Sequence, residues 1–136
     1  MLETPLDLDA HLRELSAARF GAIASFLGVV RDHDEGRGVI ELHYTAHPSA
    51  PDRLVEAANT IEQRHGVVAA VSHRIGTLRV GDVALVAAVG ATHRQAAFRA
   101  VAELVDTIKS TVPIWKLQVF TDGSREWVGI DGRGRG

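Results

Sequence analysis

Apolar positions along the chain change their spacing several times, and each change marks an element. Leu8, Leu12 and Leu15 recur at helical spacing behind Asp7 or Asp9, either of which can cap a short amphipathic helix that ends before Gly21. From Gly21 to Arg31 the run GAIASFLGVVR is apolar and partly β-branched, the mark of a buried strand, and at Arg31 it emerges into the polar, glycine-containing loop DHDEGRG. Val39 to Ala46 alternates as a second strand. Pro48 or Pro51 then opens a helix that carries Leu54, Ala58 and Ile61 on one face, runs through Arg64 and stops at Gly66.

The second half continues the alternation of strand and helix. Val67 to Arg74 is a β-branched run, Gly81 and Asp82 form a turn, and Val83 to Gly90 returns as a central strand, most simply as a hairpin-like pair. Thr92, with Gln95 at capping-box spacing, begins a third helix striped with Ala97, Val101, Leu104, Val105 and Ile108, which Pro113 ends. Ile114 to Phe120 and Glu126 to Ile130 are two last strands around the Asp122-Gly123 turn. Three helices and six or seven strands with short later turns predict an α+β fold with a mainly antiparallel sheet. Residues 1–130 form one domain, and 131–136 (DGRGRG) form a flexible Gly/Arg tail whose composition cannot pack.

Composition narrows the function. A chain of 136 residues, 46% hydrophobic and 24% charged, suits one folded core and excludes a disordered protein. The formal net charge of −2 provides no global basic field for nucleic acid or an anionic membrane, so any anion site must be local. Cysteine is absent, which removes disulfides, thiolate metal sites and a cysteine nucleophile; any sulfur chemistry needs sulfur from elsewhere. The longest nearly uncharged stretch, Val83 to Thr92, is about half a membrane-spanning helix, and the acidic start MLETPLDLDA is unlike a signal peptide, so the expected compartment is the cytoplasm.

Candidate chemistry gathers on cations. Thr92-His93-Arg94 lies where a strand gives way to a helix, and free N–H groups there, with His93 and Arg94, form an anion cradle; cationic side chains in a first turn oppose the helix dipole and need another reason to be present. Lys109 falls in the last turn of that helix, where it complements the dipole. Alternation places Lys116 with Ile114 on one strand face and Trp115 with Leu117 on the other, so Lys116 leaves a mostly apolar strand toward a cleft, where apolar walls lower a lysine pKa. His43 and His47, four apart in a strand, stand about 13 Å from each other and do not chelate together. His73 reads as a structural histidine and Gly36-Arg37-Gly38 as a turn without the helix a phosphate loop requires.

The ordered series GAIASFLGVVRDH, SHRIGTLRVGD, ATHRQAAF, DTIKSTVPIWK and DGSREWV resembles the MoaE family, the large, catalytic subunits of molybdopterin synthase, over about four-fifths of the chain. The resemblance implies a hammerhead-type α+β fold with an added strand-rich subdomain. It implies conversion of precursor Z, a cyclic pyranopterin monophosphate, to molybdopterin, with sulfur delivered as a thiocarboxylate on the C-terminal Gly-Gly of a small ubiquitin-like subunit. A homodimer with one small subunit at each end, a heterotetramer, is implied too, and no metal or cofactor of its own. Carried over by position, Lys116 and Lys109 match the family's active-site lysines, and Arg31, His93 and Arg94 its substrate-anion residues. Lys116 is the first choice for proton transfer, and Lys109 orients the donor carbonyl or shares that role. The chain departs from the family at Thr45, Leu117 and Gln118, the last where a Glu is usual. The alternative is a non-catalytic dimeric scaffold that binds the small subunit, and a phosphate-ester hydrolase using His93 lacks a metal set or nucleophile.

Overall fold

A computed structural model describes residues 1–16 and 19–129; the Gly/Arg tail lies outside the described residues. Two antiparallel sheets organise the chain. The first has the order β1 (Ala22–Val29), β6 (Val83–Ala91), β4 (Val68–His73). On one face lie α2 (Ala50–His65) and α3 (Arg94–Thr111), and α1 (Leu8–Glu14) packs against β4 and β6. Strand β6 is covered on both faces: Leu85, Ala87, Val89 and Ala91 join the core under α2 and α3, whereas Ala88 joins Leu15 and Ala70 beneath α1. That double burial is why VALVAAVGA is a continuous apolar run without polar alternation.

The second sheet runs β2 (His33–Asp34), β3 (Arg37–Ala46), β7 (Ile114–Phe120), β8 (Arg125–Val128), with β5 (Gly76–Arg79) also on β3. Its core is Val39, Leu42, Leu78 and Phe120, closed by Val30, just past β1, and by Ala84 of β6. The α+β, mainly antiparallel fold is thus as expected.

Local signals explain most boundaries. The Asp7 carboxylate accepts from the Ala10 backbone N–H as the N-cap of α1. Pro51 lies in the first turn of α2, and Gly66 at φ 65° closes it in the left-handed conformation that glycine adopts without a Cβ penalty. Three details differ from the sequence reading. Helix α3 starts two residues after Thr92, with His93 as N-cap and no side-chain cap bond, because β6 continues to pair through Ala91 with Ala22. The expected β4–β6 pair is antiparallel, yet the segment between them is no tight hairpin: β5 leaves to join β3 in the other sheet. The DHDEGRG loop contains β2, a two-residue strand turned by Glu35 and Gly36 at φ 50° and 79°. Among the described residues eight strands result, the extra ones being the short β2 and β5.

Candidate active site

Strand β7 alternates as its sequence requires. Ile114, Lys116 and Gln118 face a cleft of about 440 Å³ that opens between the two sheets beside the C-terminal end of α3. Arg31, at the exit of β1, and Lys109, in the last turn of α3, line the same cleft. Phe26, Leu42, Leu85 and Val112 supply apolar wall. Three of the five candidate residues therefore converge.

His93 and Arg94 do not join them. They are exposed beside Gly21, Thr92 and Gln95 in a separate shallow depression at the opposite end of α3. At about 1.5 Å per residue, roughly 22 Å of helix separates Arg94 from Lys109, beyond the reach of one small ligand within one chain.

Lys116 is half-buried and sits directly across from Tyr44 on β3 and Val128 on β8. Burial pushes its ammonium below the ordinary lysine range; the Asp34 carboxylate opposes that shift, while Lys109 and Arg31 add to it. Asp34 is 4% exposed. Its Oδ1 accepts from Arg31 Nη2 at 3.1 Å and its Oδ2 from Gln118 Nε2 at 3.0 Å. Three cations thus line the cleft, and one buried carboxylate lies behind its wall, bonded to Arg31 and Gln118.

The uncharged wall of the cleft holds Tyr44 and His73, whose rings meet edge to face at 5.1 Å. His73 Nδ1–H donates to the Arg74 carbonyl at 2.7 Å. Burial pulls His73 down to about 4 and pushes the Tyr44 phenol up to about 12, so both are neutral at pH 7. His73 is buried, as a structural histidine would be, and also faces the cleft.

Other sequence candidates have local duties. His43 Nδ1 pairs with the Thr77 hydroxyl at 2.7 Å, and His47 Nδ1 with the Ser49 hydroxyl at 2.8 Å. Arg37, in the Gly36-Arg37-Gly38 turn, lies 3.6 Å over the Phe120 ring and 3.6 Å from Glu126. Among the described residues no three His, Asp or Glu side chains converge as a metal-binding group.

Of the three departures, Thr45 and Leu117 fall on the strand faces opposite Tyr44 and Lys116, away from the cleft; only Gln118 enters it. One further signal is legible in the sequence. Lys109 and Lys116 are the chain's only lysines, every other cationic side chain of that class being Arg, and both line the one cleft. A lysine releases its proton within reach of neutral pH when buried and an arginine does not, so this distribution itself singles out the pair. Asp34 was visible only as one acid in a polar loop.

The chain matches the model of the MoaE protein family over residues 1–111, a segment that includes Arg31, His93, Arg94 and Lys109. It is 36% identical over 129 residues to the molybdopterin synthase catalytic subunit of Bacillus subtilis (strain 168), covering 93% of this chain and 82% of that protein. Among solved structures it is similar to molybdopterin synthase from Staphylococcus aureus, with a TM-score of 0.88 and 31% identity over 94% of each chain. The complex of subunits 1 and 2 of molybdopterin-converting factor from Helicobacter pylori 26695 shares the fold at a TM-score of 0.76 and 21% identity, over 98% of this chain and 90% of that one. The likeness runs through nearly the whole chain and both sheets that form the cleft: the chain belongs to the MoaE family.

Proposed function

We propose that the cleft is the sulfur-transfer site of a molybdopterin synthase catalytic subunit acting in molybdenum cofactor biosynthesis. Its substrate is precursor Z, and its sulfur donor is the C-terminal thiocarboxylate of a small ubiquitin-like subunit, in the cytoplasm. The observation that carries this reading is the convergence of the only two lysines with Arg31 on one cleft that is otherwise largely apolar. Substrate phosphate and donor thiocarboxylate are both anions, which suits that cationic lining in a chain with no cysteine of its own.

Lys116, half-buried with a lowered pKa, moves the proton as the thiocarboxylate sulfur bonds to a substrate carbon and water then cleaves the acyl–sulfur bond, leaving sulfur on the substrate and a carboxylate on the small subunit's tail. Lys109, exposed at the rim, orients the donor carbonyl, and Arg31 holds the substrate anion. His93 and Arg94 lie too far along α3 to serve the same cleft within one chain, so in a homodimer they complete the site of the neighbouring protomer. The Helicobacter pylori structure, a complex of two subunits of one converting factor, supports a small-subunit partner; one such partner on each protomer of a homodimer makes a heterotetramer.

The test mixes the purified chain with thiocarboxylated small subunit and precursor Z and follows molybdopterin beside a Lys116→Ala control. Product that vanishes in the control is expected. Complex formation without any product from the unmodified chain would replace this reading by that of a non-catalytic scaffold.

A further inference from the structure

Strand β2 is only two residues long, yet it sets a buried carboxylate behind the cleft lining, bonded to the lining residues Arg31 and Gln118. Asp34 is 4% exposed and Gln118 3% exposed, and the two meet at 3.0 Å across β2 and β7. Gln118 is two residues from Lys116 on the same face of β7, so the amide that grips Asp34 is anchored beside the cleft lysine. The other Asp34 oxygen takes Arg31, whose side chain is 58% exposed at the rim. A carboxylate this buried survives only if its charge is met, and here it is met from both sides.

We propose that Asp34, gripped by Gln118, is a positioning residue of this site: a single buried negative charge, shared by a carboxylate–amide pair, that aims Arg31 into the cleft and keeps the Lys116 ammonium there. The inference rests on the reading of Lys116 as the proton-carrying group. The amide at 118 is part of the device. A glutamate there would set a second carboxylate about 3 Å from Asp34, and two like charges so close change the charge seen by everything around them. Other groups facing Lys116 do not replace Asp34. Arg31 and Lys109 carry its own sign, Tyr44 and His73 are neutral at pH 7, and His33 is exposed beside Asp32. Glu126, across from Gln118 on β8, is engaged by Arg37 at 3.6 Å.

Because the chain has two lysines, isotope labelling of lysine side chains resolves Lys116 with only Lys109 beside it. The pH titration of Lys116 is read by NMR on the full chain without substrate, so its outcome stands even if turnover is assigned to another residue. Asp34→Asn is expected to move the Lys116 titration to lower pH, and Gln118→Glu to move it higher. The exchanged pair, Asp34→Asn with Gln118→Glu, returns one carboxylate and one amide to the same place and is expected to bring the titration back toward the parent value. A merely structural pair would not reverse sign with charge. If Asp34→Asn does not fold, the single Gln118→Glu variant and the exchanged pair still decide the matter. A Lys116 titration unmoved by any of the three charge changes, or an exchanged pair that stays at the Asp34→Asn value, overturns the proposal.

Discussion

Lys116 combines a strand position that faces apolar wall with a carboxylate two steps away, and its expected behaviour follows from both. Burial disfavours the ammonium, so the neutral amine forms at lower pH than the ordinary lysine value of about 10.4. The rising limb of turnover that reports loss of this proton is therefore expected below that value. Lys116→Arg keeps its proton throughout, and should remove the limb and lower turnover by about 100- to 10,000-fold with binding of the small subunit retained. His73 gives a separate signature in stability. Its folded value of about 4 lies below the ordinary 6.5, so the unfolded chain binds the extra proton between those limits. Stability from this group is fully present above about pH 6.5 and is lost as pH falls toward 4, on the order of 3 kcal/mol in all. Urea unfolding at pH 7 and pH 4.5 should show a smaller difference for His73→Phe than for the parent chain. At this scale the sequence exposed the two lysines and Arg31 through strand alternation and helix position. Asp34 stayed hidden, since nothing in DHDEGRG says which acid turns inward; the pairing of β2 with β3 decides that.

Elements were legible where a periodic apolar stripe met a clear stop. Helix α2 shows this best, with Leu54 and Ile61 buried and Gly66 as its left-handed end. Gly66→Ala adds a Cβ at positive φ and should cost about 1 kcal/mol, seen as a lowered Tm. Helix α3 depends instead on its stripe: Leu104 is fully buried against β6, and Leu104→Ala should cost about 2–5 kcal/mol in urea unfolding, with no change in the pH dependence of turnover. The start of α3 was misplaced for a physical reason. A Thr-x-x-Gln spacing favours a capping box, but Gly21 packs so closely on the Thr92 carbonyl that a Cβ there would lie 2.4 Å from its oxygen. That approach holds Thr92 to the end of the strand and passes the cap to His93. The short strands β2 and β5 were missed because two- and four-residue strands carry no measurable alternation and exist only through their pairing with β3.

Across the whole molecule, α3 separates the proposed site into two ends: Lys109 at the cleft and Arg94 about 22 Å away along the helix axis. If each cleft is completed by the neighbouring protomer, Lys116→Ala and Arg94→Ala chains, each inactive alone, should complement when mixed and allowed to exchange. A random mixture leaves about a quarter of all sites with neither substitution, so recovery of about a quarter of parent turnover is expected, and no recovery would overturn the completion of each site by the neighbouring protomer's Arg94. The sequence by itself determined the class of fold, the main elements, the absence of cysteine and the family resemblance, because periodicity, composition and ordered motifs are written along the chain. Only the tertiary structure decided that the two lysines share a cleft with Arg31, that Asp34 and Gln118 meet beneath them, and that His93 and Arg94 stand apart. The physical reason is that these residues lie on different elements, and their distances are set by how two sheets close on each other, a property of strand pairing and core packing that no local spacing contains.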